Sequence, residues 1–374
     1  MSTPLLGEKK PIVAVLTVDD EIKQFRGNRA NFRDLVKTGQ ELDYPIYIVT
    51  ARDLKLSAKK VQGYVFHAED KTWKKHWFPL PDVIYNRIPL REDERKPEVR
   101  RKIEEVIQHE SIHLFNPFFF NKRRLFEWLR KNRATKTLVP DTKKMLGPKT
   151  LSAMLQKYGS LYLKPESGKA GKGIMLLRLN ENEIKPYRLT IQGKKNKNII
   201  YKTPSLPALW KRIKAEAGGT PYIMQESITL TSFRNRHFDM RVLVQKTGKG
   251  IWTVTGIGAR LAGPKRITTH VPQGGSIEDP EKLLVSAFGA DMTSFLLSRI
   301  KSSSLLIAKQ IEKEAGFPLG EMSMDLGIDT DGRLWFFEAN AKPMKFDEPH
   351  IRKKSLERIF QYSQYLSRQP KIKA

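Results

Sequence analysis

The 374-residue chain contains no cysteine, which excludes disulfides, thiolate metal sites and a cysteine nucleophile. Long apolar runs are also missing, since none approaches the roughly 18 residues that a transmembrane helix requires. Residues 1–10 lack the apolar segment of a secretory signal peptide. We therefore expect an untranslocated, cytoplasmic protein without a membrane span.

Acidic residues are scarce relative to basic ones. The chain carries 40 Asp and Glu against 68 Lys and Arg, a formal net charge of +28. Part of the excess is local, because residues 185–214 contain nine Lys or Arg and no Asp or Glu. This charge predicts polyanionic partners, which leaves nucleic acid, an acidic substrate and a structural polyanion open. The absence of helix-turn-helix, zinc-finger and RNA-binding signatures disfavours nucleic acid.

The hydrophobic pattern changes along the chain. Apolar, β-branched runs alternate with charged helical patterns near the N-terminus, which predicts an α/β domain with parallel strands. The runs lie at residues 12–18, 46–50 and 83–88, and the helical patterns at 29–41 and 95–109. Further on, hairpin patterns mix with helices, which predicts α+β structure. These helices are expected from Asn121 and at 148–158, 206–217 and near 280–316. We expect three domains, at residues 1–115, 116–225 and 226–374.

The most informative segment is a hairpin near the C-terminus. Two apolar runs flank the dipeptide Asp331-Gly332, a strong signal for a two-residue hairpin loop. A two-residue loop places Glu338 directly opposite Asp325, and a four-residue loop keeps the same register. Because side chains alternate along a strand, Asn340 is expected on the same face.

Two opposed carboxylates and an amide point to a metal site. Directly opposed side chains lie about 4.5–5.5 Å apart at Cβ, and like charges so placed repel, so a cation should lie between them. An all-oxygen set suits Mg²⁺, which usually takes one or two protein carboxylates together with phosphate oxygens and water. The alternative is an ordinary hairpin whose acids are solvated or paired with Lys342 and Lys345. The apolar sequence of residues 334–337 favours the metal site, because it is unsuited to a freely exposed strand.

A glycine-rich loop at residues 165–173 predicts phosphate binding. Its glycines allow backbone amides to approach an anion, and its lysines add positive charge. The loop joins two strands and lacks the spacing of a P-loop or a dinucleotide-binding loop, so a flexible hairpin tip is the alternative. Lys164 ends the strand before it and is expected to point at a phosphate, because a buried ammonium needs an anion. A lysine on the solvent face is the other interpretation.

Three further strands carry candidate binding residues. The run at residues 222–227 ends in Gln225 and Glu226, a plausible place for contacts to a purine. Asp239 and Arg241 share one face of another strand, so they either pair with each other or leave Arg241 to bind a substrate anion. Arg260 allows the same two interpretations.

Taken together and in order, these residues resemble the ATP-grasp superfamily over about residues 115–365. The resemblance rests on Lys164, the glycine-rich loop, Gln225-Glu226, Asp239-x-Arg241, Arg260, Gly274-Gly275, Asp325 and Glu338-x-Asn340. Within the superfamily, the chain is similar to the glutathione synthetase and ribosomal-protein glutamate ligase branch. With residues 83–87 included, it looks closest to the YheC/YheD group of endospore-coat-associated proteins.

The resemblance implies two α+β lobes that clamp a nucleotide, preceded by an α/β domain. It further implies ATP and two Mg²⁺ ions, and a reaction in which a carboxylate is phosphorylated and then attacked by an amine. Arg241 and Arg260 would stabilise the carboxylate and its adduct, and Asp325, Glu338 and Asn340 would hold the metal. The implied ATP-binding residues are Lys122, Lys164, Ser167, Gly168, Lys169, Gly171, Gly173, Gln225 and Glu226.

Substrate and biological role stay open at this point. The basic surface favours an acidic or peptide-like substrate, and the resemblance suggests spore coat proteins as partners. One departure concerns His270, which stands where related glutamate ligases carry asparagine before Gly-Gly. The alternatives to a ligase are a non-enzymatic ATP-binding coat component and a basic nucleic-acid-binding protein.

Overall fold

The computed structural model describes residues 9–166, 172–193, 198–263, 269 and 275–371. These residues form three six-stranded sheets in succession, each with its own apolar core, and one separate two-stranded sheet. The elements of the first region are β1 (Val13–Thr17), β2 (Asp19–Asp20), β3 (Gln24–Phe25), α1 (Arg29–Glu41), β4 (Ile46–Thr50), β5 (Lys60–His67), β6 (Thr72–Pro79), β7 (Val83–Asn86), α2 (Arg91–Arg95), α3 (Pro97–Gln108) and β8 (His113–Phe115).

The second and third regions continue the chain. The second contains α4 (Lys122–Arg130), α5 (Arg133–Lys136), β9 (Thr142–Lys144), α6 (Pro148–Tyr158), β10 (Ser160–Pro165), β11 (Met175–Leu179), β12 (Tyr187–Gln192), β13 (Asn198–Thr203), α7 (Leu206–Ala217) and β14 (Tyr222–Glu226). The third contains β15 (Ser232–Phe233), β16 (Arg236–Lys246), β17 (Trp252–Leu261), β18 (Ser276–Glu278), α8 (Pro280–Phe288), α9 (Ala290–Ala315), β19 (Glu321–Ile328), β20 (Leu334–Asn340) and α10 (Pro349–Ser367).

The first sheet has the strand order β6-β5-β4-β1-β7-β8. Strand β1 pairs in parallel with β4 and β7, and β7 in parallel with β8, as the alternating sequence pattern predicts. The antiparallel hairpin of β5 and β6 was not predicted. Fully buried β-branched strands such as β1 suit a parallel sheet covered on both faces.

The second sheet is antiparallel, with the order β13-β12-β11-β10-β14-β9. One face packs against α6 and α7, where Leu161 and Leu163 of β10 meet Leu155 and Ile213. Since side chains alternate along a strand, Lys164 projects from the opposite face of the sheet. That face is turned toward the third sheet, where the Lys164 ammonium lies 5.4 Å from the ring centroid of Phe337.

The third sheet has the order β18-β17-β16-β19-β20, with β15 paired to β16. Its inner face packs on α4, α8 and α9, and its outer face carries polar and charged side chains. By length and composition alone, residues 280–315 could cross a membrane, which is weak evidence because core helices pass the same test. Here Leu296, Ile300 and Ile307 of α9 are fully buried against the sheet.

Long-range contacts tie the regions together. Helix α10 returns to the first sheet, where Phe360 and Tyr362 join the core built around β1 and α1. Asn116 ends the first region with φ 55°, and its side-chain amide donates to the Glu321 carbonyl at 2.8 Å. Its side-chain oxygen accepts a hydrogen bond from the Gly320 amide at 2.8 Å. One asparagine therefore fixes the first sheet against the start of β19.

Candidate active site

The β19–β20 hairpin brings the two predicted metal-ligating carboxylates together. Asp325 pairs directly with Glu338 across the strands. The prediction of a two-residue or four-residue loop was wrong, although the predicted pairing is present. The Asp329 amide donates to the Arg333 carbonyl at 3.1 Å, which closes a three-residue loop with Gly332 at φ 76°. A three-residue loop alone would shift the pairing by one residue.

A β-bulge restores the register. Leu326 pairs with Phe336, whereas Asp325 pairs with Glu338, so Phe337 is the extra residue in β20. A bulge re-aims the side chains beside it. Phe336 and Ala339 belong to the inner core, while Glu338 faces the opposite side of the sheet with Asp325.

Asp325 lies among arginines. Its Oδ2 is 2.7 Å from Nη2 of Arg260, and its Oδ1 is 3.9 Å from Nη1 of Arg241. Arg260 also donates two hydrogen bonds to the Asp239 carboxylate, of 3.0 and 3.2 Å, and Thr269 donates to the same carboxylate. Burial alone would lower the pKa of Arg260, but the charges of Asp239 and Asp325 raise it above its usual value. Arg260 is therefore a permanently charged group fixed between two buried carboxylates.

Arg241 is held more loosely. It lies opposite Asp325 on the neighbouring strand, donates to the Ser323 hydroxyl at 3.4 Å and packs 5.5 Å from the ring centroid of Phe346. Asp239 pairs with Arg260 and not with Arg241. The interpretation in which Asp239 and Arg241 pair with each other therefore does not hold. The guanidinium of Arg241 keeps donors that a substrate anion could use.

Lys122 lies next to Glu338. It occupies the first turn of α4, whose N-cap Asn121 accepts a hydrogen bond from the Arg124 amide, as the sequence predicts. The Lys122 ammonium is 3.1 Å from Oε2 of Glu338. Each of the two opposed carboxylates thus has a cationic partner. Asn340 pairs with Ser323 and lies two residues beyond Glu338 on β20.

Lys164 connects the second sheet to this face of the third. Its ammonium donates to Oε1 of Gln225 at 2.6 Å and lies 5.5 and 5.4 Å from the ring centroids of Tyr162 and Phe337. Burial, together with the charge of Lys122, lowers its pKa to about 7, and the charge of Glu338 only partly opposes this. The interpretation as a lysine on the solvent face does not hold.

The predicted adenine-binding residues lie on β14. The Gln225 amide donates to the Thr142 hydroxyl at 2.9 Å, and Oε1 of Glu226 accepts from the Asp141 amide at 2.9 Å. Gly173 has φ 73°, and its carbonyl accepts a hydrogen bond from the Tyr222 hydroxyl at 2.8 Å. Several predicted residues lie outside the described part of the chain: Ser167, Gly168, Lys169, Gly171, His270 and Gly274.

Sequence reasoning missed a contribution from the first region. Arg91 begins α2, packs 5.0 Å from the ring centroid of Phe119 and interacts with the charge of Glu338. Burial lowers its pKa despite the nearby carboxylates. Beside it, buried Lys342 pairs with Glu94, and the Glu94 carboxylate also accepts from the Phe119 amide at 3.0 Å. The charged sequence of α2 is typical of an exposed helix, so no local signal indicates this burial.

The residues of this site fit Mg²⁺ and ATP phosphates. Within the ranges that the structure describes, no group of three His, Cys, Asp or Glu side chains could hold a metal. The fit instead rests on Asp325 opposite Glu338, with the Asn340 amide nearby on the same strand. Mg²⁺ commonly binds through one or two carboxylates and substrate phosphates. The positive charge around this pair suits a bound polyanion such as a triphosphate. It comes from Lys122, Lys164, Arg91, Arg241 and Arg260.

Comparison with known proteins agrees with this geometry. Two lobes, with a lysine of one facing opposed carboxylates of the other, agree with an ATP-grasp fold, which the ligase DcsG also has. Residues 111–366, well over half of the chain, match the YheC/D-like ATP-grasp family, and the chain belongs to that family. The predicted resemblance and fold class are therefore confirmed.

Individual relatives are distant. The chain is 26% identical to the endospore coat-associated protein YheD of Bacillus subtilis (strain 168), over 96% of this chain and 79% of that protein. Among solved structures, the D-cycloserine synthetase DcsG shares the fold with a TM-score of 0.52 at 13% identity, covering 93% of this chain and 99% of that one. The macrocyclase MdnC from Microcystis aeruginosa MRC, bound with the precursor peptide MdnA, has a TM-score of 0.50 at 12% identity, covering 92% and 98%.

Proposed function

We propose that the protein is an ATP- and Mg²⁺-dependent ligase that joins a carboxylate to an amine through an acylphosphate. The observation that carries the proposal is the convergence of Lys164 from the second sheet on the Asp325–Glu338 pair of the third. A partly buried lysine with a lowered pKa, close to carboxylates on another sheet, is expected where a polyanion is bound between the sheets.

The reaction has two steps. A substrate carboxylate oxygen attacks the γ-phosphorus of ATP, the bond from that phosphorus to the bridging oxygen breaks, and ADP leaves. An amine nitrogen then attacks the acyl carbon of the acylphosphate, the bond from carbon to the phosphate oxygen breaks, and inorganic phosphate leaves. The amine loses its proton to solvent, and an amide results.

The described residues take separate roles in this scheme. Lys122 and Lys164 bind the phosphates, and Gln225 orients the Lys164 ammonium through its 2.6 Å hydrogen bond. Arg241 stabilises the negative charge on the substrate carboxylate and its adduct. Arg260 is a positioning residue, because Asp239 holds it against Asp325.

The metal site completes the proposal. Asp325, Glu338 and Asn340 would hold two Mg²⁺ ions, which when bound neutralise charge on the phosphate oxygens. Glu226 would contact the nucleoside, and the glycine-rich segment up to Gly173 would cover the phosphates.

Calorimetric titration of ATP with and without Mg²⁺ tests the nucleotide site, and ADP release in a screen of acids and amines tests the reaction. We expect Glu338→Gln to abolish Mg²⁺-dependent ATP turnover while the circular dichroism spectrum and the melting temperature stay near those of the parent protein. Asp331→Asn, an exposed carboxylate in the loop of the same hairpin, is the matched control. Turnover by Glu338→Gln at the parent rate would refute the proposed metal role.

We infer that the substrate is acidic or peptide-like. The net charge of +28 supports an acidic acceptor, and a fold-level neighbour, MdnC, is bound with a precursor peptide. Charge reversal at the exposed residues Lys185 and Lys211 should raise the KM for glutamate-rich peptides and leave ATP affinity unchanged. An unchanged KM would remove the basic second sheet from substrate binding. Lys194, Lys195 and Lys197, in the same basic segment, lie outside the described residues.

A role in the spore coat is supported by the name of the relative YheD. Immunoblotting of coat extracts and cytoplasmic fractions from sporulating cells tests it. Recovery in the cytoplasm alone would restrict the protein to substrate modification before coat assembly.

A further inference from the structure

A groove runs along one edge of the third sheet, away from the carboxylate pair. Its volume is about 550 Å³, and its floor is the middle of β17, from Thr253 to Ile257. Leu305 of α9 forms one wall, and α10 forms the other. Helix α10 packs so closely that a Cβ on Gly256 would lie 2.4 Å from Ile351.

The floor of the groove is an open strand edge. Strand β17 pairs with β16 from Trp252 to Leu261 except at a bulge at Thr255, but on its other side β18 pairs only with residues 259–261. Among the described residues, no strand covers the outer edge of residues 252–258. An uncovered edge presents backbone donors and acceptors to any extended chain that fits beside it.

Proteins often guard such edges by placing a charged residue or a proline on the strand itself. Residues 252–258 contain neither. The charges lie instead on the flanking helices, where Lys301 of α9 and Lys354 of α10 line the groove and are exposed. Arg358, one turn after Lys354, donates a hydrogen bond to the Thr253 hydroxyl at the end of the floor.

Both helices that flank the groove carry a positive charge beside it. Within the described residues, neither Lys301 nor Lys354 forms an ion pair. Helix α9 carries no acidic residue between Asp291 and Glu312. An extended chain in the groove would therefore have its backbone matched by β17 and acidic side chains matched by the lysines on either side.

We propose that this groove binds an extended acidic segment of a partner polypeptide, which adds to β17 as a further strand. Backbone hydrogen bonds supply affinity in such strand addition, and alternate side chains supply specificity. Carboxylates on one face of the added strand meet Lys354, and those on the other face meet Lys301. The site is separate from the proposed catalytic residues, although β17 continues from the groove directly to Arg260.

Fluorescence anisotropy with a labelled peptide of repeating Glu-Glu-Val-Val, which places Glu on both faces of a strand, tests the proposal, with a repeating Gln-Gln-Val-Val peptide as its control. We expect the acidic peptide to bind the full chain and the neutral one to bind on the order of tenfold more weakly. The double variant Lys301→Glu, Lys354→Glu should lose at least tenfold in affinity for the acidic peptide. Lys313→Glu, Lys353→Glu changes the net charge equally at exposed positions of the same helices that do not line the groove, and it should keep the affinity.

Hydrogen exchange distinguishes strand addition from binding elsewhere. The acidic peptide should slow amide exchange within residues 252–258, and the Lys301→Glu, Lys354→Glu variant should not show this protection. Equal loss of affinity in both double variants, or protection confined to another surface, would overturn the proposal. Self-association of the free protein would also overturn the proposal if the Lys301→Glu, Lys354→Glu variant abolished it. The occupant of the groove would then be a second copy of this chain.

Discussion

ATP binding should be coupled to proton uptake by Lys164. In the free protein the pKa of Lys164 is lowered to about 7, mainly by burial. A bound triphosphate would restore a pKa near the ordinary value of about 10.4, because it supplies the missing anion. At pH 8 the lysine is then about 10% protonated before binding and almost fully protonated after it, an uptake of about 0.9 proton per ATP.

The sign of the pH effect follows from this shift. Because the complex binds more protons than the free protein between the two pKa values, ATP affinity should fall by up to about tenfold for each pH unit above 7. Below pH 7 the contribution of Lys164 to this slope should fade, since Lys164 is then mostly charged in the free protein. At pH 8 the terminal phosphate of ATP is itself almost fully ionised, its pKa being about 6, and contributes little.

Calorimetry in two buffers with different ionisation enthalpies measures this uptake directly. Lys164→Met should bind ATP more weakly and without the proton linkage. Lys202→Met, a strand lysine paired with Glu183 at the far edge of the same sheet, should keep it. An uptake below about 0.3 proton at pH 8, or an equal uptake by Lys164→Met, would refute this account of the site.

Three further outcomes test the framework around the site. Arg260→Met should lower the free energy of unfolding by about 3–5 kcal/mol in urea titrations, because it leaves two buried carboxylates without their partner, and a loss below about 1 kcal/mol would contradict this. Gly327→Ala should cost about 1–3 kcal/mol and weaken ATP binding, since the new Cβ would lie 2.3 Å from the Phe337 ring; unchanged melting and affinity would show that the ring moves freely. Between pH 8 and 10, stability should rise with pH because burial lowers the pKa of Lys342 to about 8, and the slope should be smaller in Lys342→Met.

Local signals in the sequence located most helices and several strands. Helix α1 spans residues 29–41 as predicted, because Asn28 caps its first turn. Helices α6 and α7 also match their predicted bounds, and each ends at a glycine with positive φ, Gly159 and Gly218. Such caps depend only on neighbouring residues, so sequence reasoning can find them.

Contacts between distant segments could not be predicted in the same way. Nothing in the charged sequence of α2 shows that Glu94 will be buried against Lys342, because the two residues meet only after the first and third regions pack together. The same holds for α10, which lies at the end of the chain yet completes the core beside β1. The division into three domains at residues 115 and 225 remains a prediction.

In the β19–β20 hairpin the predicted pairing is correct although the predicted loop is wrong. The three-residue loop shifts the register by one residue, and the bulge at Phe337 shifts it back, so Asp325 and Glu338 face each other as predicted. The bulge differs from a regular two-residue hairpin in one respect. It directs the Phe337 ring toward Lys164 while Glu338 still lies opposite Asp325. We therefore regard the irregularity as the feature that couples the lysine of the second sheet to the carboxylates of the third.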